Sequence, residues 1–213
     1  MITYLLIRHG QSASNAAATL TGQLDIPLTE IGLKQGELAS KYIFDNYKVD
    51  LIYSSDLCRA CQTALPLSKL TGVPVIKEQG FREMHCGDWQ GRKVADLINE
   101  YGDVYLRWKD HDPTVGPPNG ENFLQTQERA VKTINAISAK NDNKTIVIAA
   151  HGGVIKTLTA FFLGLPINEW SEKLPYVSNA SVTKVIFDNG KYTLVNTIDD
   201  YLGDLKTEMP RGI

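Results

Sequence analysis

Four times along this chain an apolar strand, or the turn after it, stops at a polar group that does chemistry. Thr3 to Ile7 runs into Arg8-His9-Gly10. Leu51-Ile52-Tyr53 ends in Ser54-Ser55-Asp56, with Arg59 in the first turn of the helix that follows. Val73-Pro74-Val75-Ile76 leads through a turn to Glu83, and Thr145 to Ala150, the strongest strand of the chain, leads to His151-Gly152-Gly153. Helical segments fill the intervals. Ile31, Leu38, Ala39, Tyr42 and Ile43 form a stripe between Thr29, a helix-capping residue, and Tyr47. Asp56 is expected to cap a second helix running to about Leu70, and another runs from His151 to Leu163. Strands that alternate with helices form a mostly parallel sheet covered on both faces. In such a sheet all four polar groups arrive at the carboxyl edge, where ligands bind.

The closing runs, Ser181–Phe187 and Lys191–Val195, flank Asp188-Asn189-Gly190 and read as a hairpin that adds an antiparallel edge. Pro74 places its strand at an edge. Between Phe81 and Gln125 the pattern loosens around two short helices. The expectation is an α/β, three-layer fold: one domain over residues 1–213, with a cap-like segment inserted at about 81–125. The polar tail after Ile198, with Asp199, Asp200, Asp204 and Glu208, reads as a solvated and mobile end, with a lid as the alternative.

With 213 residues, 43% hydrophobic, 22% charged and a net charge of −2, the chain has no field to draw it to nucleic acid or to a membrane surface. No stretch is long and apolar enough to span a bilayer, and the N-terminal run lacks the marks of a signal peptide. The expected compartment is the cytoplasm. Three cysteines argue against a disulfide framework. Cys58 and Cys61 match C-x-x-C, but no second pair completes a zinc site, so they read as helix residues flanking Arg59.

Two guanidiniums, two imidazoles and one carboxylate at one sheet edge suit phosphoryl transfer without metal. Arg8 and Arg59 would neutralise the nonbridging oxygens of a phosphomonoester through paired bonds. Helix N-termini near Gly10 and at Gly152 would add backbone N–H groups, with Ser12 and Asn15 as neutral donors. His9 would be the nucleophile and Glu83 the acid and base. Gly10 would let the backbone turn sharply and approach the ligand.

Five segments then make a resemblance clear. Leu6-Ile7-Arg8-His9-Gly10-Gln11-Ser12 with Asn15 resembles the signature of the histidine phosphatase superfamily, whose fold is phosphoglycerate mutase-like. Gly22-Gln23-Leu24-Asp25-Ile26-Pro27-Leu28-Thr29, Ser54-Ser55-Asp56-Leu57-Cys58-Arg59-Ala60-Cys61-Gln62-Thr63-Ala64, Arg82-Glu83 with Gly87-Asp88-Trp89-Gln90-Gly91, and Ala150-His151-Gly152-Gly153 resemble its further motifs in the same order. The resemblance implies a metal-independent phosphatase that needs no cofactor and acts on a small phosphorylated metabolite. It implies His9 as the phosphorylated residue, Arg8, Arg59 and His151 on the phosphoryl oxygens, and Glu83 as acid and base. Asn15, Gly22, Gln23 and Gly152 would line the same pocket.

The chain departs from the family at Gln90, often Glu, and at Asn122, often Ser, which is expected to alter a pocket contact. Met84 stands where mutases tend to carry Arg, and Arg92, Arg107 and Arg129 are not adjacent, which favours hydrolysis over mutase transfer. A cofactor-dependent phosphoglycerate mutase, a phospho-ligand-binding regulatory protein without turnover, and a redox or zinc protein built on Cys58 and Cys61 are the alternatives. His85 either contacts substrate or sits on the pocket rim. His111, between two Asp, reads as a solvated surface residue, and Trp89 and Trp108 as packing for the inserted segment rather than a stacking platform. Oligomeric state is not legible.

Overall fold

The two most apolar runs of the chain pair with each other at the centre of a six-stranded sheet. β1 (Ile2–Arg8) lies parallel to β4 (Thr145–Ala150), in register from Thr3 opposite Thr145 to Arg8 opposite Ala150. Beyond β4 lie β2 (Leu51–Ser54) and the edge strand β3 (Val75–Lys77), both parallel to it. On the other side, β5 (Val182–Asp188) and β6 (Lys191–Ile198) complete the order β3-β2-β4-β1-β5-β6 as the expected antiparallel hairpin. The computed structural model describes residues 1–166, 169–174 and 176–207. Its helices are α1 (Ala13–Ala16), α2 (Glu30–Asn46), α3 (Cys58–Thr71), α4 (Val94–Tyr101), α5 (Asp103–Lys109), α6 (Phe123–Ser138), α7 (Gly152–Leu163) and α8 (Trp170–Lys173).

Alternation along the central strands divides the core. Tyr4, Leu6, Ile146 and Ile148 face one way, against Ala130 and Ile134 of α6 and Val154 and Leu158 of α7. Leu5, Ile7, Val147 and Ala149 face the other way, against Ala39 and Ile43 of α2 and Ala60, Ala64 and Leu67 of α3. Burial on both faces explains why these strands are continuously apolar. A third cluster, with Trp89, Leu97, Tyr105 and Trp108, fills the inserted segment and leans on Ala160 of α7 and on Trp170. Among the described residues no helix is long and apolar enough to cross a membrane.

Several local expectations are corrected. Thr29 does cap α2, accepting from Gly32 N at 3.1 Å, but Asp56 does not cap α3. Asp56 is held by Arg82, which donates from Nε at 2.7 Å and from Nη2 at 2.5 Å. The first turn of α3 is capped from another loop, where Asp25 Oδ1 accepts from Cys58 N at 2.6 Å. This contact also draws the Asp25 carboxyl below its usual range. Helix α6 begins inside the segment read as irregular. Asn122 and Gln125 form a capping box, with each side chain accepting from the other's backbone N–H at 2.9 Å. Asn122 is therefore a helix cap and lies outside the cavity lining described below.

The tail is packed as far as Thr207. Its 3-10 turn, Asp200–Leu205, lies on α2, where Tyr201 stacks on Tyr42 with ring centroids 4.7 Å apart and Leu202 is buried. Glu208 lies outside the described residues.

Candidate active site

β1 ends against β4, so the residues that follow the two strands are neighbours. His9 N donates to Ala150 O at 2.9 Å. The His9 and His151 rings then sit edge to face with centroids 5.1 Å apart. His9 Nδ1 donates to its neighbour's carbonyl, Gly10 O, at 2.7 Å. That bond assigns the tautomer and leaves Nε2 with the lone pair. Two further bonds hold the backbone here. Asn179 Nδ2 donates to His9 O at 3.0 Å, and Gly10 N donates to Thr63 Oγ1 at 3.1 Å.

Glycine is required at position 10 for packing rather than for ligand approach. A Cβ there would stand 2.3 Å from Gly32 O, and Gly10 does not line the cavity. Ser12 is likewise spent on structure. It accepts from Asn15 N at 3.2 Å in the capping box of α1, while Asn15 reaches the cavity.

Arg59 enters from the first turn of α3. Its Nη1 and Nη2 donate to Leu24 O and Gly22 O, both at 2.8 Å, which clamps the loop carrying Gly22. Gly22 sits at φ +53°, a conformation that favours glycine. Arg8 Nη1 donates to Val177 O at 2.5 Å, and its guanidinium packs against Gly152, where an added Cβ would lie 3.4 Å from Cζ. His151 pairs with Ser55 Oγ at 2.8 Å through Nε2. Among the described residues, two buried side-chain nitrogens of this group, Arg59 Nε and His151 Nδ1, have no hydrogen-bond partner. Buried polar atoms left unpaired are costly, and a bound anion is what these two would satisfy.

Glu83 closes the ring of charges. Its Oε1 accepts from Met84 N at 2.9 Å and its Oε2 from Gly153 N at 3.2 Å, at the N-terminus of α7. Arg129 of α6 steadies this loop. It donates to Gly80 O and Arg82 O, both at 2.9 Å, and pairs with Glu121 at 2.8 Å. Burial, then the charges of Arg59 and Arg8, holds His9 well below the ordinary imidazole range. Burial and Arg59 do the same to His151. Both rings are neutral near pH 7.

One cavity is lined by Arg8, His9, Asn15, Gly22, Arg59, Glu83 and Gly152. His151 lies wholly buried beside His9, and Gln23 stands behind the acid, donating from Nε2 to Glu83 O at 3.0 Å. Gln90 accepts from Gln23 N at 2.8 Å. The sequence-derived set is thus brought to one place. A model of the histidine phosphatase superfamily (branch 1) matches residues 4–200.

The chain belongs to the histidine phosphatase superfamily.

It is 34% identical over 173 residues to a glucosyl-3-phosphoglycerate phosphatase of Mycolicibacterium vanbaalenii, covering 78% of this chain and 76% of that one. It is 26% identical to phosphoserine phosphatase 1 of Hydrogenobacter thermophilus over the full length of both chains. It superposes on a mycobacterial glucosyl-3-phosphoglycerate phosphatase in complex with VO3 with a TM-score of 0.85. The identity there is 32%, over 91% of this chain and 96% of that one.

Other residues in and around the cavity were not read from the sequence. Ser55, Thr63, Asn179, Glu121 and Arg129 position the charged groups. Lys109 and Lys156 line the cavity, and so does His111, which is no surface residue: its Nε2 lies 3.0 Å from Lys156 Nζ. Trp108 does both things, packing in the third cluster and lining the cavity, whereas Trp89 is core alone. His85 does not line the cavity; its N–H donates to Glu121 at 2.9 Å. Cys58 and Cys61 are free thiols, and burial beside Asp25 pushes Cys58 up to about 11. Helical spacing was the missed signal for Lys156, which stands four residues after Gly152 on the same face of α7.

Proposed function

We propose that this chain is a metal-independent phosphatase that hydrolyses a small phosphomonoester in the cytoplasm through a phosphohistidine at His9. The observation that carries the reading is a neutral His9 with its Nε2 lone pair available, set in one cavity with Arg8 and Arg59 and beside the Glu83 carboxyl group at the N-terminus of α7. Arg8, Arg59 and His151 take the nonbridging oxygens, and the two unpartnered atoms Arg59 Nε and His151 Nδ1 supply hydrogen bonds to them.

The His9 Nε2 lone pair attacks phosphorus in line with the leaving oxygen. As the P–O bond breaks, Glu83 gives that oxygen a proton, and the alcohol departs. Water then attacks phosphorus, the bond from phosphorus to His9 Nε2 breaks, and the Glu83 carboxylate left by the first step takes a proton from that water. Phosphate leaves, and His9 and Glu83 return to their starting forms. The segment at about 81–125 is the cap that selects the alcohol.

Hydrolysis is favoured over return of the phosphoryl group to substrate. Arg92, Arg107 and Arg129 are engaged by Glu100, Asp112 and Glu121, and none lines the cavity. The test is phosphate release from an aryl phosphomonoester by wild type and His9→Ala, each with and without EDTA. Release that survives chelation and disappears in His9→Ala is expected, with a phosphohistidine trapped at position 9. Release that needs bisphosphate priming would mark a mutase. Binding without release would mark a regulatory protein, and release that persists in His9→Ala would overturn the mechanism.

A further inference from the structure

The cavity holds more positive charge than a phosphate requires. Arg8, Arg59, Lys109 and Lys156 line it, against the single carboxylate of Glu83. A phosphate dianion leaves at least one positive charge unanswered, and two while Glu83 holds the proton for the leaving group. One such charge is best assigned to Lys156. Its Nζ makes one hydrogen bond among the described residues, to the imidazole of His111, and no carboxylate pairs with it there. Glu83 acts on it only at a distance and is already held by Met84 N and Gly153 N. A partly buried ammonium facing a neutral ring is an incomplete arrangement unless a ligand supplies the anion.

The geometry around it is specific. Lys156 lies on α7 one turn after Gly152, which packs on the Arg8 guanidinium. The Lys156 backbone thus stands one helical pitch, ~5 Å, further along α7 than the Gly152 that meets Arg8, and its side chain lines the same cavity. His111 reaches it from the end of α5 through a left-handed backbone, φ +63°. This conformation is uncommon outside glycine and is kept where the surroundings determine it. Trp108 and Phe123 line the cavity beside the pair: the Phe123 ring lies 5.5 Å from that of His111, and Trp108 stacks on Phe123 at 5.9 Å.

Building on the phosphatase reading, we propose that Lys156, steadied by His111, is a specificity-determining residue that binds a carboxylate carried by the substrate a few bonds from its phosphate. The substrate class is a phosphorylated small acid rather than a neutral sugar or alcohol phosphate.

The test compares two probes that differ at one group. 3-Phosphoglycerate carries a carboxylate where glycerol 3-phosphate carries a hydroxymethyl. Wild type is expected to prefer the acid in kcat/KM. Lys156→Met, which keeps the aliphatic stem, should lower that preference ratio about ten- to a hundredfold, the size of one charge-assisted hydrogen bond, chiefly through KM. Lys156→Arg should restore part of it.

The same pair titrated calorimetrically into His9→Ala, with and without Lys156→Met, reads the subsite without turnover. Loss of aryl phosphate hydrolysis by wild type would therefore sink the phosphatase reading alone. A ratio unchanged in Lys156→Met, by kinetics and by binding, would overturn this proposal, as would no preference for the acid in wild type.

Discussion

Replacing Lys156 by Met should make the protein more stable while it loses selectivity. The ammonium titrates at 10.5 when solvated, and in the fold burial, with Arg8 next, draws it down to about 8. At neutral pH its charged form therefore costs the fold roughly 3 kcal/mol by the linkage between pKa and stability. Met fills the same stem volume without the charge, and the variant loses the His111 hydrogen bond, worth about 1 kcal/mol. The net gain is ~2 kcal/mol, or about 4–8 °C in Tm for a chain of this size.

The sign with pH is a second check. The folded state binds this proton more weakly than the unfolded state does, so wild type gains stability as pH rises from about 8 toward 10.5. The advantage of Lys156→Met should shrink over that window. Thermal unfolding of both chains in a pH series measures it. A variant less stable than wild type at neutral pH, or a gain that does not change between neutral and alkaline pH, would refute the claim that Lys156 is held charged at a cost.

Further outcomes follow from the same geometry. An added Cβ at Gly153 would stand 2.5 Å from Glu83 Oε1, so Gly153→Ala should displace the acid and lower kcat about a hundredfold with little change in KM. Activity within threefold of wild type in steady-state kinetics would contradict this. Arg129→Met removes both bonds to Glu121 and those to Gly80 O and Arg82 O, and leaves a half-buried carboxylate with only the His85 N–H and Thr126 hydroxyl bonds and no charge partner; denaturant unfolding should show a loss of ~2–4 kcal/mol. The kcat/KM for 3-phosphoglycerate should fall above about pH 8 as Lys156 of the free enzyme deprotonates. Of the groups that act on it, His111 is held near 4 and is already neutral, Arg8 stays charged, and Glu83 lies opposite. A profile measured on Lys156→Arg should lack that limb.

The candidate groups were legible because each sits beside its own signal. Arg8, His9 and His151 follow apolar strands directly, and parallel pairing of those strands brings them together whatever the rest of the chain does. Glu83 was harder, since Glu78, Asp88 and Glu121 compete with it in sequence. Of the four, Glu83 is the one that lines the cavity, while the others are held elsewhere. Glu78 caps a turn by accepting from Gly80 N, Asp88 takes Asn119, and Glu121 pairs with Arg129. The start of α6 was hidden because Asn122 stood out as a departure from a motif, while its capping bond depends on the side chain three residues on.

His111 misled for a related physical reason. Between Asp110 and Asp112 it looks solvated, yet Arg107 draws Asp112 to one side and the left-handed turn brings the ring inward. Its contact with Lys156 spans 45 residues and leaves no trace in local pattern. The phosphate half of the cavity comes from strand ends, which sequence periodicity locates. The other half, proposed to meet the leaving group, comes from where the inserted segment closes on α7, and that depends on packing among Trp108, Phe123 and Ala160. Chemistry and selectivity are therefore encoded at different ranges along this chain. A variant of the inserted segment that preserves the third cluster should change which phosphomonoester is accepted before it changes how the phosphoryl group is moved.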